Sequence, residues 1–358
     1  MKKIRLGILF GGQSAEHEIS LQSAKNIVDA IDRSKYDLTL IGIDRDGLWY
    51  QSTPSTALPG NTATGLTIDS GTASTLSVVP GKNKTQMIAT DPEKSILNET
   101  GALDVVFPIL HGPQGEDGTV QGLLRLANIP FVGSDVLGSA VSMDKDVMKR
   151  LLAQADLPIG RYRVYRAHQR PQINYQDIVQ TFSLPLYVKP ANMGSSVGVS
   201  KVKHAEELEA AINTAFEYDQ KILIEENIQG REIEVAVLGN DQPRASIAGE
   251  IIPVDGFYSF NAKYLDEKGA QLQIPAKLTT DQLSRLQDLA VRVFQTLECS
   301  GFARVDFFLT EDDQIFVNEL NSIPGFTKIS MFPRLWEASG IGYSALIDQL
   351  ITLAMERH

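Results

Sequence analysis

The sequence of 358 residues is 43% hydrophobic and 22% charged, which is typical of a soluble globular protein. A chain of this length exceeds one ordinary core and indicates two or three domains. Its formal net charge of −11 argues against nucleic acid as the main partner. Its single cysteine, Cys299, excludes an intramolecular disulfide and a Cys-based zinc site.

The first residues, MKKIRLGILFGG, superficially resemble a signal peptide. Their apolar run is short, however, contains Arg5 and continues into the charged stretch SAEHE. We interpret this run as a buried first strand. No apolar stretch approaches the roughly 20 residues that cross a bilayer. We therefore expect a cytoplasmic protein without a membrane partner.

Strands and helices alternate in the first part of the chain. IRLGILF and YDLTLIGID have the character of strands, and EISLQSAKNIVDAI between them has the apolar spacing of a helix. LDVVFPIL is a nearly continuous apolar run, as in a buried parallel strand. This alternation predicts an open parallel α/β sheet in residues 1–133, with an insertion rich in Ser, Thr, Gly and Pro at about 51–100.

The pattern changes near residue 134. MDKDVMKRLLAQADLP predicts a helix, and the glycine-rich stretch ANMGSSVGVSKV connects two predicted strands rather than a strand and a helix. We assign residues 134–228 to a central unit and residues 229–358 to a C-terminal unit. The C-terminal unit contains a polar, aromatic loop at about 253–271, and long loops inside compact domains are often lids.

Two strand-like runs, GFARVDFFL and IFVNELN, flank the turn-like TEDDQ and predict a β-hairpin. Because residues two apart share a face of a strand, Asp306, Glu319 and Asn321 are expected to converge beside Arg304, and Val317 is expected on the same face. Acidic residues near a hairpin are often simply solvated. Here they alternate with apolar residues, and a buried carboxylate requires a compensating cation. Since Mg²⁺ prefers oxygen ligands, we predict that the cluster holds magnesium.

The stretch KPANMGSSVGVSKV lacks the P-loop order, in which Gly-Lys-Ser/Thr opens a helix. Its backbone N–H groups are nevertheless suited to phosphate oxygens, and Lys145 and Lys189 would neutralise a phosphate. By itself the stretch fits an ordinary flexible hairpin equally well, and a lone lysine is usually a surface residue.

The stretch LFGGQSAEHEIS follows a strand and starts a helix, but it lacks Gly-x-Gly-x-x-Gly. A nicotinamide dehydrogenase is therefore disfavoured. Its Glu16 fits either a structural acid in the first helical turn or a carboxylate that binds an ammonium group at the mouth of the sheet.

Two loops allow two interpretations each. HGPQGEDG ends a buried strand; its glycines suit a backbone that approaches a ligand near His111, whereas Asp117 suits capping of the next helix. FYSFNAKYLDEKG contains Tyr258, Lys263 and Tyr264. These residues fit either a lid that clamps a phosphoryl group or a surface loop anchored by aromatic side chains.

Seven stretches together resemble one family: GGQSAEHEISLQSA, HGPQGEDGTVQG, VGSDVLGSAVSMDKDVMK, VKPANMGSSVGVSKV, AKYLDEKG, ARVDFFL and VNELNSIPGFTKISMFP. Their order and spacing are similar to those of D-alanine–D-alanine ligases, which are ATP-grasp enzymes, and the match covers almost the whole chain. The resemblance implies an α/β N-terminal domain with an open parallel sheet, followed by a two-lobed α+β ATP-grasp fold. ATP would lie between the central and C-terminal lobes.

The resemblance also implies the ligands. Two Mg²⁺ or Mn²⁺ ions would bridge the nucleotide phosphates through Asp306, Glu319 and Asn321. ATP would contact side chains and loop residues of both lobes, namely Lys145, Lys189, Gly194, Ser195, Ser196, Glu225, Glu226, Glu232, Lys263, Asn318 and Glu319. The acidic residues Glu225, Glu226 and Glu232 would contact adenine and ribose.

The implied reaction joins two D-alanine molecules for peptidoglycan synthesis. The carboxylate of the first attacks the γ-phosphorus of ATP, and the amine of the second attacks the resulting acyl phosphate. The implied catalytic and substrate-binding residues come from all three units: Glu16, His111, Ser195, Tyr258, Tyr264, Arg304, Gly325 and Ser330.

The resemblance gives this set separate roles. Glu16 would bind the first ammonium group, supported by a link between Ser195 and Tyr264. Arg304 and the backbone N–H of Gly325 would stabilise the oxyanion of the second step. Ser330, with the same glycine, would bind the carboxylate of the second D-alanine.

The resemblance leaves three alternatives and one expectation about assembly. A ligase that forms an ester with D-lactate is disfavoured by Tyr264, because ester-forming members of the family commonly carry another residue there. Another ATP-grasp carboxylate–amine ligase is the second alternative. A nucleotide-binding regulator without catalysis is disfavoured by the intact Arg304 and Lys263. Because the family is usually dimeric, a homodimer is expected.

Overall fold

The computed structural model describes residues 2–52, 66, 68, 74–81, 87–89, 102–253 and 270–357. Within these residues the strands form three sheets, one in each of the predicted units 1–133, 134–228 and 229–358. The bounds of the units as domains remain predictions. Of the helices in these ranges, none combines the length and the apolar character needed to cross a membrane.

The first sheet has six strands in the order β5-β4-β3-β2-β1-β6. Its strands and associated helices are β1 (Ile4–Gly11), α1 (His17–Ala30), β2 (Tyr36–Ile43), β3 (Trp49–Ser52), β4 (Ser74–Val78), β5 (Met87–Ala89), β6 (Val105–Pro108) and α2 (Thr119–Leu126). β1 pairs in parallel with β2 and β6, and its buried run suits a strand that is covered on both faces. β3, β4 and β5 extend the sheet by antiparallel pairing. The predicted α/β fold with a parallel core is confirmed, and the outer strands of the sheet are antiparallel.

The second sheet is antiparallel, in the order β7-β10-β8-β9. Its elements are β7 (Tyr162–Arg166), α5 (Tyr175–Phe182), β8 (Leu186–Pro190), β9 (Ser200–Val202), α6 (Leu208–Tyr218) and β10 (Lys221–Glu226), with short 3-10 helices at Ala167–Gln172 and Ala205–Glu207. Val188, Ile222 and Ile224 share a core with α5 and α6 on one face. The glycine-rich stretch connects β8 to β9, as predicted.

Two helices precede this sheet, α3 (Val136–Met143) and α4 (Lys145–Gln154). The single helix predicted from Met143 is wrong at its first residues, because Asp144 separates the two helices. The carboxylate of Asp144 accepts hydrogen bonds from the N–H groups of Asp146 and Val147 and so begins α4.

The third sheet is antiparallel, in the order β13-β12-β11-β14-β15. Its elements are β11 (Arg231–Gly239), β12 (Arg244–Pro253), β13 (Ala270–Gln273), α7 (Thr280–Thr296), β14 (Gly301–Leu309), β15 (Ile315–Asn321), α8 (Met331–Ala338) and α9 (Tyr343–Glu356). Met148 and Leu152 of α4 lie in the same core as Val235, Phe294 and Val305. α4 is therefore packed against the C-terminal sheet.

The N-terminal and C-terminal units share a hydrophobic core. The rings of Phe107, Phe302 and Phe326 form edge-to-face pairs, with centroids 5.8 to 6.3 Å apart. Near the C-terminus, Arg357 donates hydrogen bonds to the carbonyls of Phe131 and Gly133 at 3.0 and 2.6 Å. This packing holds the segment after β6 next to the segment that follows β15, near the predicted site residues.

Candidate active site

The hairpin of β14 and β15 brings the predicted oxygen ligands together. Asp306 is paired with Glu319 across the two strands, and Asn321 Nδ2 donates a hydrogen bond to Asp306 Oδ2 at 3.0 Å. The turn between the strands is closed by the N–H of Thr310, which donates to the carbonyl of Gln314 at 2.9 Å. The predicted convergence is therefore observed.

The expectation for Val317 is wrong. The register passes from the pair of Asp306 and Glu319 directly to the pair of Phe307 and Val317, so Asn318 is the extra residue of a β-bulge. Val317 is only 1% exposed and lies in the hydrophobic core. The bulge places Val317 on the opposite face of the strand from Glu319, and no feature of the sequence predicts it.

Arg304 is held by two carboxylates. Its Nε lies 2.7 Å from Asp306 Oδ1 and 2.9 Å from Glu234 Oε2, and its Nη2 donates to Asp306 Oδ2 at 2.7 Å. Burial alone would lower the pKa of Arg304, but the two carboxylates raise it well above its ordinary value. The guanidinium is thus a fixed positive charge. Sequence reasoning missed Glu234, which lies opposite Asp306 in the register of β11 and β14.

The glycine-rich loop meets the start of α1. Ser195 Oγ donates a hydrogen bond to Glu16 Oε1, and Glu16 is only 6% exposed. A Cβ atom on Gly194 would lie 3.0 Å from Glu16 Oε2, and one on Gly112 would lie 2.7 Å from the same oxygen. The backbone of both loops therefore approaches this carboxylate too closely for a side chain, which explains Gly112 and Gly194 in the two motifs.

The tip of this loop is a strained turn. Ser195 and Ser196 have positive φ of 50° and 60°, and the N–H of Val197 donates to the carbonyl of Gly194 at 3.0 Å. Non-glycine residues in this region are uncommon, and such strain concentrates at ligand-binding loops. Lys145 supports the loop from α4, because its Nζ donates to the Met193 carbonyl at 2.7 Å.

His111 and Glu116 connect the N-terminal unit to the segment after β15. His111 Nδ1 lies 3.1 Å from the carbonyl oxygen of Ile323, and burial lowers the pKa of this histidine, which favours the neutral ring. Glu116 accepts hydrogen bonds from the N–H groups of Gly112 at 2.6 Å and Ile323 at 3.3 Å. Burial and the nearby charge of Glu16 raise the pKa of Glu116 to about 8.

Gly325 and Ser330 lie side by side in the segment that leads into α8. A Cβ atom on Gly325 would come within 3.1 Å of Ser330 Oγ. The Ser330 hydroxyl also accepts a hydrogen bond from the N–H of Thr327 at 3.0 Å. The two residues that the resemblance assigned to the second substrate are thus adjacent.

The other predicted nucleotide contacts lie on and beside the central sheet. Lys189 Nζ forms an ion pair with Glu225 Oε2 at 2.5 Å. Glu226 is bound to Arg161 at 2.7 Å, and Glu232 is half-buried on β11. Tyr258, Lys263 and Tyr264 lie outside the described residues, as does most of the predicted lid at 253–271.

Comparisons with known proteins cover the whole chain. The family descriptions "D-ala D-ala ligase N-terminus" and "D-ala D-ala ligase C-terminus" match residues 5–134 and 151–352. A D-alanine–D-alanine ligase of Shouchella clausii is 54% identical over 100% of this chain and 96% of its own length. The chain belongs to the D-alanine–D-alanine ligase family.

Two solved structures resemble this ligase along its length. That of the D-alanine–D-alanine ligase of Coxiella burnetii has a TM-score of 0.84 at 38% identity, covering 100% of this chain and 95% of that one. That of the VanG D-Ala:D-Ser ligase of Enterococcus faecalis has a TM-score of 0.85 at 34% identity, covering 99% and 100%. The family resemblance and the ATP-grasp fold expected from the sequence are confirmed. Family membership makes this ligase an ATP-dependent enzyme.

Proposed function

We propose that this ligase joins two molecules of D-alanine to D-alanyl-D-alanine, with ATP converted to ADP and phosphate, in the synthesis of peptidoglycan precursors. The full-length similarity to a D-alanine–D-alanine ligase supports this proposal. The observation that carries it is one cavity lined by Gly194 of the glycine-rich loop and by Glu319 and Asn321 of the hairpin. Next to Gly194 in sequence, Ser195 is bound to Glu16, and on the hairpin Arg304 is bound to Asp306. An ammonium-binding carboxylate and a fixed cation are the two groups that amino-acid activation requires.

The space between these groups is small. A cavity of about 20 Å³ is lined by acidic, basic and loop residues of all three units: Glu116, Ser142, Met143, Lys145, Met193, Gly194, Glu319, Leu320, Asn321 and Ser322. This volume holds roughly one water molecule and no amino acid. We propose that the glycine-rich loop, whose Gly194 lines this cavity, moves outward for substrate entry, and that its return excludes water from the acyl phosphate.

The first step brings two anions together, since a D-alanine carboxylate attacks the γ-phosphorus. Lys145 and Lys189 are the described cations suited to bind the phosphate oxygens, and Lys263 is proposed as a third. Gly194 and the two serines that follow it would contribute N–H groups of the strained turn. These contacts lower the repulsion that opposes the attack.

The hairpin cluster fits divalent cations. Two carboxylates, Asp306 and Glu319, and the amide oxygen of Asn321 are the hard oxygen donors that Mg²⁺ uses together with phosphates. Among the described residues, no group of three or more His, Cys, Asp or Glu side chains is placed to hold a metal. We propose that two Mg²⁺ or Mn²⁺ ions bind here and also contact the phosphates of ATP. They would neutralise phosphate charge.

In the second step, the amine of the second D-alanine attacks the acyl carbon, and phosphate leaves. We propose that Arg304 and the backbone N–H of Gly325 stabilise the oxyanion, because the guanidinium keeps its charge in this buried position. Ser330 would bind the carboxylate of the second D-alanine next to the same glycine. Glu16 would hold the first ammonium group, with Ser195 fixing its carboxylate and Tyr264 completing the link.

Other contacts belong to the same proposal. Glu225, Glu226 and Glu232 would bind adenine and ribose, and Asn318, placed at the bulge, would contact ATP beside Glu319. His111 and Tyr258 would line the D-alanine site. We also propose a cytoplasmic homodimer, in keeping with substrates that are cytosolic metabolites.

The test is an ADP-release assay of the purified chain with D-alanine, L-alanine, D-serine and D-lactate, supplied separately and together. D-Serine is included because of the similarity to a D-Ala:D-Ser ligase. We expect ADP release with D-alanine alone and a dipeptide of matching mass. ADP release that needs D-lactate or D-serine would identify the alternative ligases, and release with none of them would overturn the proposal.

A further inference from the structure

A second buried lysine faces the nucleotide contacts on the central sheet. Lys149 is 2% exposed, and its Nζ lies 3.3 Å from Glu225 Oε1, while Lys189 contacts Oε2 of the same carboxylate at 2.5 Å. The contact of Lys149 with Glu225 is longer than that of Lys189. Two buried ammonium groups thus share one carboxylate.

This arrangement is unusual because of its charge. Burial lowers the pKa of Lys149, and the neighbouring Lys189 lowers it further, while Glu225 opposes both effects. The ring of Tyr162, whose centroid is 5.6 Å from Lys149 Nζ, gives additional cation–π stabilisation. Glu319 adds a second opposing charge that raises the pKa of both lysines. Two buried ammonium groups in contact with one carboxylate are costly unless opposite charges compensate them.

The two lysines belong to the same predicted unit, 134–228, but their neighbours pack in different hydrophobic cores. Lys149 is one helical turn after Lys145 on α4, and Met148 of the same helix packs in the core of the C-terminal sheet. Lys189 and Glu225 lie on β8 and β10 of the central sheet. The contact of Lys149 with Glu225 therefore joins a helix packed on the C-terminal sheet to the central sheet.

From this geometry, we propose that Lys149 is a positioning residue for ATP, which keeps Glu225 neutralised when Lys189 leaves it for a phosphate oxygen. The inference rests on the proposed use of Glu225 and Lys189 as ATP contacts. In the structure Lys189 is paired with Glu225, and in this proposal its ammonium group turns its N–H donors from that carboxylate to a phosphate oxygen. Lys149 stays in place through this change, because α4 is anchored in the core of the C-terminal sheet.

The consequence of losing Lys149 follows from electrostatics. The groups that face Glu225 are Lys149 from α4, Lys189 from β8 and Tyr162 from β7. Burial raises the pKa of Glu225, but the two lysines bring it below its ordinary value. Without Lys149, a Lys189 engaged with phosphate would leave this buried carboxylate uncompensated. The carboxylate would then take up a proton as ATP binds.

The experiment measures ATP binding by titration calorimetry at pH 7, in buffers of different ionisation enthalpy. We expect Lys149→Met to weaken ATP binding at least about tenfold and to add up to roughly one proton taken up per ATP. Lys149→Arg should restore most of the affinity, and the KM for D-alanine should change less than the KM for ATP. A lysine that only supports folding would alter neither the proton number nor the ratio of the two KM values.

Two controls separate the outcomes. Arg150→Met removes a neighbouring charge on α4 that is 61% exposed, and it should behave as the parent. Lys149→Met combined with Glu225→Gln removes both charges, and should return the proton number to that of the parent whatever its affinity. If the parent binds ATP and Lys149→Met binds it with the same affinity and the same proton number, this inference alone is overturned. A parent that binds no ATP would overturn the proposed function as well.

Discussion

Ser195 of the glycine-rich loop donates a hydrogen bond to Glu16 at the start of α1, although the two residues are 179 positions apart in the sequence. This bond joins the central unit to the N-terminal sheet over the proposed D-alanine site. Ser195→Ala should lower kcat/KM for D-alanine about tenfold, since hydrogen bonds to charged groups contribute about 1.5–3 kcal/mol. Steady-state kinetics check this, and Ser34→Ala, which removes an exposed serine–carboxylate bond, should change nothing.

Removing the negative charge of Glu16 tests its proposed contact with the ammonium group. Glu16→Gln should weaken D-alanine binding by more than about tenfold, or about 1.4 kcal/mol, because a small zwitterion binds mainly through charged contacts. The Michaelis constant for ATP serves as the internal control. Equal Michaelis constants for D-alanine in the variant and the parent would contradict the assignment.

The glycines around Glu16 give a steric test. Gly112→Ala places a Cβ atom 2.7 Å from Glu16 Oε2 at a φ of +75° and should raise the KM for D-alanine. Gly340→Ala also forces alanine into a positive φ, of +92°, but its Cβ atom would meet no atom within 4 Å. Both changes should cost about 1–2 kcal/mol of stability by chemical denaturation. Only Gly112→Ala should raise the KM for D-alanine. An equal rise of this KM in Gly340→Ala would contradict the steric explanation.

The hairpin carboxylates give a test of metal binding. Asp306→Asn should reduce kcat at least about 100-fold and weaken Mn²⁺ binding in the presence of ATP, as followed by electron paramagnetic resonance. Asp313→Asn, in the turn of the same hairpin, is the matched control, since its exposed carboxylate binds Arg285 and not the cluster. Unchanged Mn²⁺ binding in Asp306→Asn would remove this residue from the metal site.

Glu116 should make stability depend on pH. Its pKa is raised to about 8 in the folded chain, so between its ordinary value and about 8 the folded state binds more protons than the unfolded state. Stability should therefore fall as pH rises through this range, by at most about 1.4 kcal/mol per pH unit. Urea unfolding at pH 5.5, 7 and 8.5 measures the slope. Glu116→Gln should flatten it, and an identical slope in the variant would contradict the assignment.

Much of the fold was predictable because its signals are local. The apolar run of β1, the helix α7 and the β14–β15 hairpin follow from periodicity and turn chemistry within short windows. The same alternation predicted that Asp306 and Glu319 meet. It was wrong for Val317, because a bulge changes the face of a residue without changing the composition of the strand.

The partners of the buried charges were not predictable. Lys149 ends the stretch VGSDVLGSAVSMDKDVMK, but nothing in that stretch indicates its partner, and Glu234 lies in the context of an ordinary strand. Lys149 meets Glu225 only after α4 and the central sheet have packed, and Glu234 meets Arg304 only when β11 pairs with β14. The single sequence contains neither the distance nor the burial that makes these pairs strong.

The amino-acid sequence by itself determined the order of strands and helices, the hairpin with its oxygen side chains and the two glycine-rich loops, since each depends on neighbours along the chain. Only the tertiary structure decided which cation pairs with which carboxylate, and that the Ser195 hydroxyl binds the Glu16 carboxylate. The physical reason is that the strength of an ion pair depends on separation and on exclusion of water, and both are set by packing between distant segments.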